Sequence, residues 1–120
     1  MKLTPLEALV ITHLIVDFIF QWNWQSENKQ KNYWALFSHC LVYTIGFIPV
    51  FWFYQINFLW LILLFISHAV IDQGRSVRWL LEIFKGLKKE NFPESKWNIL
   101  ALAMDQILHF AVLTVIVLLS

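Results

Sequence analysis

The chain has 120 residues, of which 59% are hydrophobic, 18% aromatic and only 14% charged, with a net charge of +1. A soluble domain of this length would be less apolar and more charged, so an integral membrane protein with little mass outside the lipid is expected. The single cysteine, Cys40, rules out an intrachain disulfide, and three glycines in all leave neither a phosphate loop nor a dinucleotide fingerprint.

In chain order, the first apolar stretch runs from about Pro5 to Trp24, close to the roughly 20 residues that cross a bilayer as a helix. The N-terminus lacks a signal-type apolar core and cleavage site, so this helix is expected to stay in the mature protein. It breaks at the polar stretch "QSENKQKN". A second span is read from about Tyr33 to Tyr54, with Gly46 and Pro49 as the places for a bend. After the short turn "QIN", a third runs from Phe58 to about Gly74 and meets Arg75.

The segment "RSVRWLLEIFKGLKKENFPESK" then carries Val77, Leu80, Leu81, Phe84 and Leu87 at helical spacing among Arg78, Lys85, Lys88 and Lys89. That pattern suits an amphipathic helix over about 76–90, lying in the membrane interface or lidding a site, and Pro93 should stop it. The fourth span runs from about Trp97 to residue 119. The fold expected is all-α: a four-transmembrane-helix bundle with one interfacial helix, a single membrane domain over residues 1–120.

Lysine and arginine orient the bundle. The loops after the first and third spans share one side and hold Lys29, Lys31, Arg75, Arg78, Lys85, Lys88, Lys89 and Lys96, against Lys2 alone on the other. The positive-inside rule puts those loops in the cytoplasm and both termini outside. The expected location is the bacterial inner membrane.

The apolar spans carry a polar set. His13 and Asp17 are four residues apart, as are His68 and Asp72, and Asp105 and His109; His39 is the remaining histidine. Four apart on a helix means one face, one turn along. At 1.5 Å per residue the seven lie within roughly 3 to 18 Å of the cytoplasmic boundary, so they can meet in one layer. Tyr43 shares the His39 face one turn deeper. Gln21, Lys29, Lys31, Asn98 and Gln106 extend the pocket toward the basic side, and Arg75 falls on the His68 stripe.

An aspartate near a span centre costs about 2.5–3.5 kcal/mol to insert, so three of them need compensation. Each could hydrogen-bond its own histidine as interhelical glue, but three pairs and a fourth histidine exceed what packing requires. A metal site fits better. Imidazole and carboxylate without thiolate suit zinc, with manganese or iron also possible, as one ion with orienting carboxylates or two ions about 3.5–4 Å apart.

"HLIVDFIFQ", "ENKQK", "HCLVY", "HAVID" and "DQILH" together resemble the bacterial DUF3307 family across nearly the whole chain. The resemblance implies a small polytopic membrane protein with this polar set as its hallmark, and no particular activity. One departure is "DQGR", where members often continue to a lysine; Arg75 would fill the cationic role.

The function expected is a metal-dependent hydrolase acting on a phosphate ester or lipid headgroup at the cytoplasmic face. His13, Asp17, His39, His68, Asp72, Asp105 and His109 would be ligands or a general base, Tyr43 a proton donor, and Arg75 with Lys29 or Lys31 an anion clamp. Membrane lipid is the expected partner; no motif points to nucleic acid. Two alternatives are a proton or divalent-cation transporter using a His/Asp relay and a non-catalytic subunit with a structural polar core.

Overall fold

The computed structural model describes residues 2–20, 23–86 and 88–120. Helices joined by short turns make up the described residues, and none forms a strand.

The first helix, α1 (Pro5–Leu14), starts with a capping box. Thr4 Oγ1 accepts the Glu7 N–H at 3.2 Å, the Glu7 carboxylate accepts the Thr4 N–H at 2.8 Å, and Pro5 opens the helix. Rather than continuing unbroken to residue 24, the helix widens into a π-turn at Ile15–Ile19 and ends at Phe20. Such insertions are rare and cluster at functional sites; this one carries Asp17. Gln21, expected in the pocket, lies outside the described residues, as does Leu87. A short helix, α2 (Asn23–Asn28), then occupies part of the polar stretch read as a break.

Helix α3 (Tyr33–Gly46) is capped by Asn32, whose Oδ1 accepts the Trp34 N–H at 2.8 Å. The chain breaks at Phe47 and restarts as α4 (Ile48–Phe53), with Pro49 in the first turn where its missing N–H costs least. Gln55 adopts a positive φ of 55° in the "QIN" turn. Helix α5 (Trp60–Asp72) is shorter at both ends than the stretch read from Phe58 to Gly74. Gly74, at φ 86°, turns the chain into α6 (Arg75–Lys85), and Gly86, at φ 61°, ends that helix well short of residue 90. A single 3₁₀ turn at Lys89–Asn91 and Pro93 lead into α7 (Glu94–Leu119).

By length and composition α3 with α4 (Tyr33–Phe53) and α7 can cross a membrane, while α5 is apolar but has 13 residues, about 20 Å of helix. The helices close a ring: α1 packs on α7, α7 on α5, α5 on α3, and α3 on the π-turn that follows α1. Helix α6 lies across α5 and α7 at one end. The α3–π-turn contact is very close. A Cβ on Gly46 would sit 2.5 Å from Val16 Cγ2, so glycine is what lets α3 approach the turn bearing Asp17.

Two apolar clusters bracket a polar layer. Leu9, Phe47, Phe51, Leu64, Leu113 and Ile116 form the larger; Ile71, Val77, Leu81 and Trp97 form the smaller beneath α6. On α7 Asp105 and His109 fall between Trp97 of the smaller cluster and Leu113 of the larger, and on α5 His68 falls between Leu64 and Ile71. The outside is inverted with respect to this interior: Ile19, Trp34, Trp52, Phe53, Ile62, Ile99 and Leu118 are exposed, while His13, Asp17, His39, His68, Asp72 and His109 are all at most 4% exposed.

Candidate metal centre

The polar layer draws one side chain or more from each helix of the ring. Asp17 comes from the π-turn, His39 from α3, His68 and Asp72 from successive turns of α5, and His109 from α7. One donor atom from each of Asp17, His39, His68 and Asp72 lies within 4.8 Å of the others, all four residues buried. The histidine–histidine contact joins Nε2 atoms 2.7 Å apart. His39 Nε2 lies 2.8 Å from Asp72 Oδ2 and 3.1 Å from Asp17 Oδ1. His68 Nε2 lies 3.4 Å and 3.7 Å from the same two oxygens.

Hydrogen bonding alone serves this arrangement poorly. An imidazole nitrogen has either one hydrogen or one lone pair to offer, yet His39 Nε2 faces three close partners. Asp17 Oδ1 is buried and meets His39 Nε2 at 3.1 Å, outside good hydrogen-bond geometry, so one imidazole nitrogen is shared poorly among the two carboxylates and His68. A cation at the centre of the four atoms would engage all of them. Tetrahedral zinc, with ligands at 2.0–2.2 Å, sets ligand atoms about 3.3–3.6 Å apart, and the histidine contacts of 2.7–3.7 Å bracket that spacing.

Asp17, Asp105 and His109 form a second group within the same 4.8 Å limit. Asp17 belongs to both. Asp72 also links them: its Oδ1 accepts the His109 Nε2–H at 2.9 Å, while its Oδ2 faces the first group and accepts Lys29 Nζ–H at 2.9 Å. Lys29 thus lays a positive charge on the oxygen that an ion would also use. Burial alone would lower the Lys29 pKa, but Asp72 holds it above the ordinary lysine value.

His13 stands apart from both groups. Its Nε2 meets Gln106 Oε1 at 2.9 Å and its Nδ1 meets Tyr43 Oη at 2.8 Å, with Asp17 Oδ2 3.8 Å away. Gln106 in turn donates to Asp105 Oδ2 at 3.1 Å. With the amide in that orientation, His13 Nε2–H donates to Gln106 and Nδ1 accepts the Tyr43 hydroxyl proton. Tyr43 is therefore aimed at His13, and its ring stacks on His68 at 3.6 Å between centroids. This is the geometry of a group that orients a ligand.

The outer polar residues divide. Lys29, Arg75 and Asn98 line a cavity of about 490 Å³ at the α6 end, together with Asp105. Lys31 is exposed and does not line it. Arg78 and Lys89, read in the sequence as loop cations on the polar side of the amphipathic segment and not as part of the pocket, line it too. Their position within 15 residues of Arg75 was the available signal; the packing of α6 across α7 was not visible in the spacing.

The sequence profile described as "Protein of unknown function (DUF3307)" matches residues 6–120. The chain belongs to the DUF3307 family. No curated protein and no solved structure matches the chain. The DUF3307 match spans every helix of the ring, so all the donor residues described above lie within it.

Proposed function

We propose that this DUF3307 protein is a four-span membrane protein whose His/Asp centre binds one or two divalent ions, zinc before manganese or iron, and hydrolyses a phosphate ester. The observation that carries the reading is the convergence of Asp17 Oδ1, His39 Nε2, His68 Nε2 and Asp72 Oδ2 in one buried group, each donor atom within 4.8 Å of the others. Binding of the order of 10 kcal/mol, as at structural zinc sites, would offset burial of the carboxylates.

The inverted surface supports the membrane reading: exposed apolar side chains suit lipid, and buried ionisable groups in such a bundle mark function. Lys29, Arg75, Arg78 and Lys89 gather around one cavity, whereas the Tyr54 hydroxyl donates to the Leu3 carbonyl at 2.8 Å at the other end. This supports basic loops in the cytoplasm and both termini outside the cytoplasmic membrane.

A bound ion supplies hydroxide near neutral pH and stabilises developing negative charge. With one ion held by Asp17, His39, His68 and Asp72, Asp105, a half-buried carboxylate bordering the cavity, would be positioned to take the water proton and return it to the leaving alcohol. The water oxygen forms the new bond to phosphorus, and the bond from phosphorus to the alcohol oxygen breaks. Transport is less well supported, because beyond the polar layer the described interior closes into Leu9, Phe47, Leu64 and Leu113. The test is hydrolysis of p-nitrophenyl phosphate by protein reconstituted with each ion. Turnover should require the ion and fall at least 100-fold in Asp105→Asn; turnover that is indifferent to chelation would overturn the reading.

A further inference from the structure

The cavity at the α6 end has a charge pattern of its own. Its volume, about 490 Å³, lies in the range of small-molecule sites. Four cationic residues line it, Lys29, Arg75, Arg78 and Lys89, against one carboxylate, Asp105. Two of the cations are already engaged: Lys29 with Asp72 at 2.9 Å, and Arg78 with Glu90 at 2.6 Å and Glu82 at 3.3 Å. Arg75 and Lys89 have no carboxylate within 4.0 Å among the described residues. Two positive charges are therefore presented to the cavity without an ion-pair partner among the described residues, and the four cations outnumber Asp105.

The position of the cavity matters as much as its charge. Lys29 and Asp105 belong both to its lining and to the edge of the metal centre, through Asp72 and His109. A group held by Arg75 and Lys89 thus lies one side chain from the His/Asp layer. The α7 wall is different: Ala101 and Leu102 are apolar, and Leu102 is exposed on the outside of the bundle. An anionic head beside an apolar outlet describes an amphiphile.

We propose that this cavity binds a terminal phosphate dianion, with Arg75 and Lys89 as the binding pair and the apolar α7 wall beside the remainder of the ligand. The assignment deepens the hydrolase reading, on which it rests for what happens to the phosphate, by naming the substrate class as phosphomonoesters. A guanidinium and an ammonium facing one phosphate make charge-assisted hydrogen bonds of the strong kind. The phosphate can come from a lipid such as phosphatidic acid or from a water-soluble ester.

Binding can be measured without turnover. The full chain, purified in detergent and stripped of metal with chelator, is titrated calorimetrically with dioctanoyl phosphatidic acid, dioctanoyl phosphatidylcholine and inorganic phosphate. Phosphatidic acid should bind and phosphatidylcholine should not. Arg75→Gln/Lys89→Gln should weaken binding at least tenfold, while Lys85→Gln/Lys96→Gln, which removes equal charge from outside the lining, should not. Phosphatidic acid binding much tighter than inorganic phosphate assigns a lipid source; equal affinities assign a soluble ester.

Equal weakening in both double variants, unchanged binding in the cavity variant, or no binding of either phosphate by folded wild type would overturn the assignment. Asp17→Asn separates the two ideas. Phosphate binding that persists in a variant devoid of metal and activity leaves the cavity standing, and metal-dependent turnover without phosphate binding leaves the hydrolase standing.

Discussion

Gly46→Ala tests whether the contact between α3 and the π-turn shapes the candidate metal centre. The new Cβ would lie 2.5 Å from Val16 Cγ2 and 3.1 Å from Cγ1, whereas carbon pairs settle at about 3.5–4.0 Å. Roughly 1 Å must be found by moving the turn or the helix. Gly46 ends α3 in helical backbone, so alanine gains at most about 1 kcal/mol in helix propensity. Overpacking a tight contact costs about 1–3 kcal/mol, and the clash should prevail, giving a net loss of about 1 kcal/mol.

Val16 precedes Asp17 in the π-turn, so displacement of the turn also moves a donor atom. Val16→Ala removes both γ carbons and leaves Val16 Cβ at an ordinary 3.4 Å. The double variant should therefore recover about 1 kcal/mol or more relative to the sum of the singles. Equilibrium unfolding in mixed micelles of rising dodecyl sulfate content reads the stability, and cobalt absorbance reads the site. Wild-type stability in Gly46→Ala, or additivity to within about 0.3 kcal/mol, would refute the packing account.

Lys29→Met removes the cation on Asp72 Oδ2. It should destabilise the metal-free protein by up to about 3 kcal/mol, since a buried carboxylate loses its partner, yet raise affinity for zinc or cobalt by freeing the same oxygen; competition with a chelating dye checks the sign. Tyr43→Phe keeps the stack on His68 but strands His13 Nδ1, so it should cost about 1–3 kcal/mol while leaving metal stoichiometry unchanged in elemental analysis. Glu90 is held below the ordinary glutamate value by its own backbone N–H and by Arg78. Its pairing is therefore present above about pH 4.5 and lost as pH falls through the folded value. Glu90→Gln should leave Arg78 with Glu82 as its one remaining carboxylate partner and tighten inorganic phosphate binding a few-fold, measured by calorimetry near neutral pH.

Much of the donor set was legible because helical spacing is a strict rule. His68 and Asp72, or Asp105 and His109, have to share a face, and counting residues from the basic ends puts all the pairs at similar depth. What spacing could not supply was partner choice. Asp72 reaches His109 and His39 on other helices more closely than its own His68, and His13 turns to Tyr43 and Gln106. Those choices depend on helix rotation, which side-chain packing across the ring decides.

The helix boundaries were only partly readable for a similar reason. Nothing in "IVDFI" marks a π-turn, and the packing of its Val16 against Gly46 joins distant segments. Gly86 cuts α6 short through a left-handed φ that the apolar repeat did not register. Arg78 and Lys89 join the cavity because α6 packs across α5 and α7, a tertiary event with no local signature.

Metal content tests the central claim most directly. The full chain, purified without added metal and also reconstituted with zinc, manganese or iron, is analysed by plasma mass spectrometry beside Asp17→Asn, which keeps side-chain size while removing the charge of one carboxylate of the four-residue group. One or two ions per wild-type chain, reduced at least tenfold in a variant that unfolds like wild type, is the predicted result. A folded wild-type protein that holds no ion after any reconstitution would contradict the metal centre and make the His/Asp layer a hydrogen-bonded core.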